Sequence, residues 1–178
     1  IFVFIQEFAT TSAKDDPILK TIGIGPCIAV TFFDQESQVG SMVHLNTMTE
    51  VETLAQTFGK MLESMRMAGY NDPKKKDLQI RIVGGQNPDS DLLFTRIKNL
   101  LVSLKLPNPV EVDYGDEETE SIALDTKTGK LFDLIKIKPY VASKNVDPRE
   151  KEIREIKALL PFVSYTIDER ARKYKVFV

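Results

Sequence analysis

The apolar positions fall into two rhythms, and their succession sketches the fold. Cys27–Phe33 (C-I-A-V-T-F-F) is a nearly unbroken run of apolar and β-branched residues, and Val39–Leu45 is a second such run after the polar loop Asp34–Gln38. Runs of that length and composition predict strands, and a short polar connection predicts that they pair as a β-hairpin. Val51, Leu54, Ala55, Phe58, Met61, Leu62 and Met65 instead recur at helical spacing, with Gly69 as the stop. Thr49-x-x-Glu52 ahead of them has the form of a capping box.

The same reading predicts strands over Ile1–Phe8, Ile18–Ile24, Leu78–Val83 and Val110–Tyr114. A second helix is expected from about Ser90 to Lys105, burying Leu93, Ile97, Leu100, Leu101 and Leu104 and ending before Pro107. Thr119–Leu124 and Lys130–Ile137 flank Asp125–Gly129, a hairpin turn by its Asp and Gly. Asp147-Pro148 opens a further helix to about Leu160, followed by extended pieces at Phe162–Ile167 and Lys173–Val178. Strands mixed with helices over 178 residues give one α+β or α/β domain, 1–178, around a sheet.

Composition narrows the function. With 24 Lys and Arg against 26 Asp and Glu, the net charge of -2 offers no basic field, so nucleic acid is not an expected partner. No apolar run reaches the roughly 18 residues that span a membrane, so no membrane insertion is expected. Ile1–Ile5 is short and lacks the basic flank of a signal peptide. Because the chain opens on Ile rather than Met, a lost leader segment stays open. The one cysteine has no internal disulfide partner, and one Cys with one His does not make a zinc site. No metal or other cofactor is expected.

That one cysteine and that one histidine sit on the two arms of the predicted hairpin. If Phe33 pairs with Gly40, residue 27 faces residue 46 and residue 44 faces residue 29. Cys27, Ala29, His44 and Asn46 then share a face, and Cys27 and His44 become diagonal neighbours. A slip of one residue would separate them. Such a pair suits nucleophilic catalysis: the imidazole takes the thiol proton, forms a charge-stabilised pair with the thiolate, and later protonates a leaving amine. A third polar group orients the ring, for which Thr21, Asn46 and the acidic Asp116–Glu120 run are candidates. The competing reading is a buried structural cysteine and a structural or surface histidine.

The stretch Thr21-Ile-Gly-Ile-Gly-Pro-Cys27-Ile-Ala-Val, followed by Asp34, Val39-Gly40 and Met42-Val-His44, resembles the CheD family of chemoreceptor glutamine deamidases. That family carries a T-x-G-x-G-S-C-V-A-V strand, an acidic turn and a G-G-M-x-H strand. The resemblance runs on through helix 50–68, the Gly84-Gly85 turn and the Leu124–Leu131 hairpin, so it spans about residues 18–137. It leaves the C-terminal helix and tail, 138–178, as an extension.

The resemblance implies a three-layer α/β/α sandwich and a triad of Cys27, His44 and Thr21. The implied activity is hydrolysis of a protein glutamine to glutamate through a thioester. Gly25, Pro26, Asn46 and Gly85 are the positions where it implies substrate contact. The implied partner is a protein bearing a reactive glutamine, either a chemoreceptor or a host protein, with a regulatory protein as a further partner. The implied setting is cytoplasmic, with secretion into a host cell as the alternative. Pro26 stands where the family has Ser, Ser41 where it has a second Gly, and Leu92–Arg96 where it has I-G-x-R-N. These changes lie where substrate recognition is expected. They leave two other readings open: a toxin-like deamidase of the same chemistry, and a non-catalytic binding module that keeps the fold.

Overall fold

A computed structural model describes residues 1–71, 77–85, 88–112, 121–133 and 175–177. Nine strands and two α-helices follow in the order β1 (Glu7–Ser12), β2 (Ile18–Ile22), β3 (Ile28–Asp34), β4 (Val39–Leu45), α1 (Val51–Met67), β5 (Leu78–Gly84), α2 (Asp91–Ser103), β6 (Val110–Val112), β7 (Ser121–Asp125), β8 (Lys130–Asp133) and β9 (Lys175–Phe177). Six strands form one sheet in the order β6-β5-β3-β4-β1-β9, and β2-β7-β8 form a second.

Burial on both faces explains the two unbroken apolar runs. Every residue of β3 and β4 is buried, because these strands lie at the centre of the larger sheet with a layer on each side. On one face Ile28, Val30, Phe32, Val43, Leu45, Ile80 and Ile82 pack under both helices, which contribute Leu54, Phe58, Met61, Leu93 and Ile97. On the other face Ala9, Ala29, Phe33, Met42 and Val83 meet Leu19, Ile122 and Leu124 of the smaller sheet. The protein is thus an α/β sandwich of three layers. Their order departs from the expected α/β/α. Among the described residues both helices cover one face, and the third layer is the three-stranded sheet.

The hairpin register is the one the alternation predicts. Phe33 pairs with Gly40, Ala29 with His44 and Ile28 with Leu45. Both helices close with left-handed caps. Gly69 (φ 112°) and Lys105 (φ 54°) each sit just past a helix, and the N–H groups of Tyr70 and Leu106 reach back to the Met65 and Leu101 carbonyls at 3.0 and 2.9 Å.

Two local expectations fail for identifiable reasons. The first strand is Glu7–Ser12, not Ile1–Phe8. A turn intervenes at Phe4–Glu7, where Glu7 N–H donates to the Phe4 carbonyl, the Glu7 carboxylate accepts from Phe4 N–H, and Gln6 takes φ 61°. Residues before the turn lie against β2 through a parallel bridge from Phe2 to Lys20, while those after it join the larger sheet beside β4. The Thr49–Glu52 capping box does not form either. Thr49 Oγ1 donates to the Asn46 carbonyl at 2.8 Å, and the helix starts from Glu50 without a side-chain cap.

The expected helix 147–160, the piece Phe162–Ile167, Lys74–Lys76 and the Asp116–Glu120 run lie outside the described residues. Of the expected Lys173–Val178 segment, Lys175–Phe177 pairs antiparallel with β1.

Glycine positions give a paired stability test. Gly129 (φ 69°) ends the β7–β8 turn, and an added Cβ would fall 2.3 Å from the Phe33 ring. Gly59 lies on the exposed side of α1 with open space around it. Gly129→Ala is expected to cost roughly 2–3 kcal/mol by overpacking and a disfavoured φ. Gly59→Ala is expected to add about 0.5–1 kcal/mol of stability. Urea unfolding of both variants measures the difference.

Candidate functional site

The site lies at one end of the seam between the two sheets. His44 occupies β4, paired directly with Ala29 on one side and Glu7 on the other. It is fully buried, as is Thr21 on β2 of the smaller sheet. The Thr21 hydroxyl lies 2.7 Å from His44 Nδ1, so a single hydrogen bond joins the two layers at the imidazole. Thr21 faces the seam because it lies two residues after Leu19 on the same strand face, and the Leu19 side chain fills the inter-sheet core. His44 Nε2 is buried and has no hydrogen-bond partner among the described residues.

Cys27 is the residue immediately before β3. The last paired residues are Ile28 and Leu45, so the register carries Cys27 opposite Asn46 and diagonal to His44. The thiol is free and 8 % exposed. No hydrogen bond joins it to His44 Nε2 in this resting arrangement.

The backbone around Cys27 is tightly held. Gly85 N–H donates to the Cys27 carbonyl at 3.0 Å. A Cβ on Gly84 (φ 93°) would sit 2.5 Å from that carbonyl oxygen and 2.8 Å from the Ile24 carbonyl, so only glycine fits there. The Ser90 hydroxyl, at the start of α2, donates to the Pro26 carbonyl at 2.6 Å.

Of the residues expected to contact substrate, Gly25 and Pro26 form the half-exposed to exposed bend before Cys27. Gly85 uses its N–H on the Cys27 carbonyl, so that donor is spent on shape. Asn46 uses its side-chain oxygen on Met48 N–H and the Thr49 hydroxyl, closing the turn into α1. The hydrogen bond to the ring comes from Thr21, not from Asn46; the acidic candidates at Asp116–Glu120 lie outside the described residues. Ser90 was not legible as a site residue, because a serine opening a helix reads as its cap. No group of three or more metal-ligating side chains exists among the described residues.

Electrostatics correct one expectation. Burial pushes the Cys27 thiol up, and burial also holds His44 down at about 4. Both shifts favour uncharged forms, so the resting pair is a thiol beside a neutral imidazole rather than the thiolate–imidazolium pair the residue types alone suggest. A neutral imidazole has one protonated nitrogen. In the tautomer whose Nδ1–H donates to Thr21, the lone pair sits on Nε2, where a thiol proton can be received.

The low histidine value is also a stability statement. A base whose folded pKa is depressed leaves the native state under-protonated relative to the unfolded chain. Stability is therefore full above about 6.5 and lost as pH falls toward about 4. A span from 6.5 to about 4 corresponds to about 3 kcal/mol. Urea unfolding between pH 7 and pH 4 should show this loss in the wild type and a shallower slope in His44→Gln; equal slopes would remove His44 as its source.

No family model matches the chain. Among curated proteins it is similar to the probable chemoreceptor glutamine deamidase CheD 1 of Syntrophus aciditrophicus (strain SB), with 29% identity over 147 residues, covering 74% of this chain and 91% of that protein. It is also similar to the probable chemoreceptor glutamine deamidase CheD of Methanosarcina barkeri (strain Fusaro / DSM 804), with 26% identity over 139 residues, covering 70% and 90%. Among solved structures, the hypothetical protein YfiH of Bacillus licheniformis aligns with a TM-score of 0.39 and 14% identity. That alignment covers 55% of this chain and 46% of the other, a likeness too slight to bear on fold or chemistry. The chain is thus similar to two curated proteins, both named as probable chemoreceptor glutamine deamidases, along about nine-tenths of their own length.

Proposed function

We propose that the protein is a cysteine-dependent protein-glutamine deamidase, with Cys27 as nucleophile, His44 as base and acid, and Thr21 as the group that orients the ring. The observation that carries this reading is the buried imidazole held at Nδ1 by Thr21, with Nε2 unpartnered and Cys27 diagonal to it in the hairpin register. The names of the two curated relatives supply the substrate class, a glutamine of a chemoreceptor.

The chemistry follows from the two neutral groups. Sγ attacks the carboxamide carbon as His44 Nε2 takes the thiol proton, so the S–C bond and the imidazolium form together. Thiolate need not accumulate beforehand, which suits a thiol whose pKa is raised by burial. The tetrahedral intermediate collapses, the C–N bond breaks, and the imidazolium proton leaves with ammonia. Water then attacks the thioester, giving its proton to Nε2, and the S–C bond breaks to restore the thiol and release glutamate. Thr21 keeps Nε2 facing the thiol throughout by accepting from Nδ1–H.

The bend at Gly25 and Pro26 beside Cys27 is where the glutamine side chain would enter, and Pro26 is itself a departure from the family pattern, whereas Ser41 lies in mid-strand, bonded to Thr10 and Ala9. A chemoreceptor is the first target to try, and a host protein the second.

The test is ammonia release from a glutamine-bearing cytoplasmic fragment of a chemoreceptor. Cys27→Ala should abolish it, and Thr21→Val should slow it by about tenfold to a hundredfold with unchanged folding. Because the base is active when neutral, the acid limb of kcat/KM should fall near pH 4, where His44 gains its proton, and not near 6.5. Ammonia release by Cys27→Ala at the wild-type rate would sink the mechanism. Inactivity of the wild type on every glutamine protein tried, with Cys27 inert to acylating reagents, would leave a binding module.

A further inference from the structure

Ser90 stands at the N-cap position of α2, where a serine hydroxyl ordinarily bonds a free N–H of the first helical turn. Here it makes no such bond. The side chain is fully buried and its hydroxyl donates instead to the Pro26 carbonyl at 2.6 Å, a short bond between groups far apart in sequence. The helix forgoes a cap so that this hydroxyl can reach the peptide that enters the nucleophile.

That peptide is the Pro26–Cys27 unit, and no cis bond occurs among the described residues. In a trans peptide the C=O and N–H point in opposite directions. Fixing the Pro26 carbonyl toward Ser90 therefore fixes the Cys27 N–H to point away from α2. No hydrogen bond from that N–H forms among the described residues. Two further constraints hold the same backbone, the Gly85 N–H bond to the Cys27 carbonyl and the close packing of Gly84. Pro26 itself has no N–H to offer. A bond donated to a peptide carbonyl also polarises the unit and makes its N–H the stronger donor.

We infer that Ser90 is a positioning residue that orients and polarises the Cys27 N–H as a donor to the oxyanion formed when Sγ attacks a carbonyl. The inference rests on the proposed Cys27 chemistry, and adds to it the source of the oxyanion's support.

Two reactions of the same thiol separate this role from a merely structural one. Acylation by p-nitrophenyl acetate forms an S–C bond through a tetrahedral oxyanion, and the C–O bond to nitrophenolate then breaks. Alkylation by iodoacetamide displaces iodide from a saturated carbon and forms no oxyanion. Ser90→Ala should lower the nitrophenolate burst rate by about tenfold, below the effect of deleting a direct oxyanion donor. Its alkylation rate should stay at the wild-type value across pH. Ser90→Thr, which keeps a hydroxyl, should acylate within about threefold of wild type. Wild-type acylation in Ser90→Ala would overturn the inference. Acylation and alkylation falling together in Ser90→Ala would also overturn it, leaving Ser90 as a support for the bend. Equal acylation of wild type and Cys27→Ala would instead defeat the Cys27 chemistry, and the Ser90 role with it.

Discussion

A hydrogen bond between Thr21 of the smaller sheet and His44 Nδ1 of the larger crosses the seam, and the proposed chemistry depends on what surrounds it. A fully buried imidazole such as that of His44 loses nearly all of its hydration. A bond to one nitrogen recovers part of that cost and leaves the other nitrogen without a partner. A buried polar atom without a partner is costly to fold around and calls for an explanation, and receipt of the Cys27 proton in the proposed reaction is one. The seam thus fixes the ring's position, its charge and the nitrogen left over.

Desolvation has the same sign of consequence on both reacting groups. It keeps the thiol protonated and the imidazole neutral, so the resting site carries no charge pair. In the proposed reaction, charge would develop only when a carbonyl carbon accepts the sulfur, and the oxyanion would then need a donor from the backbone. The bend at Gly25–Cys27 is clamped by Gly84, Gly85 and Ser90 from two other elements. The open part of the site is the exposed Pro26 and Gly23 surface, while the reacting groups lie behind it.

The hairpin was readable because both of its strands are buried on two faces and joined by a short polar loop, which leaves few registers. From that register alone Cys27 and His44 become neighbours, and the placement of Thr21 followed from the family resemblance. What was not readable is everything set by contacts distant in sequence. The turn at Phe4–Glu7 hands the chain from one sheet to the other, and an apolar opening such as Ile1–Ile5 suits either. Thr49 looks like a capping residue until Asn46 competes for its hydroxyl. Ser90, at the start of α2, bonds instead the Pro26 carbonyl, 64 residues away in sequence. Small polar side chains carry the same local signature whether they bond their own helix or a distant peptide.

The chain has a single histidine, so its imidazole resonances can be followed without assignment. The most direct test of the account is an NMR titration of that ring, with the nitrogen shifts read at neutral pH. The account predicts a midpoint near 4 and the tautomer protonated at Nδ1, leaving the Nε2 lone pair for the thiol proton. A midpoint near 6.5, or a ring protonated at Nε2 in the resting protein, would contradict it.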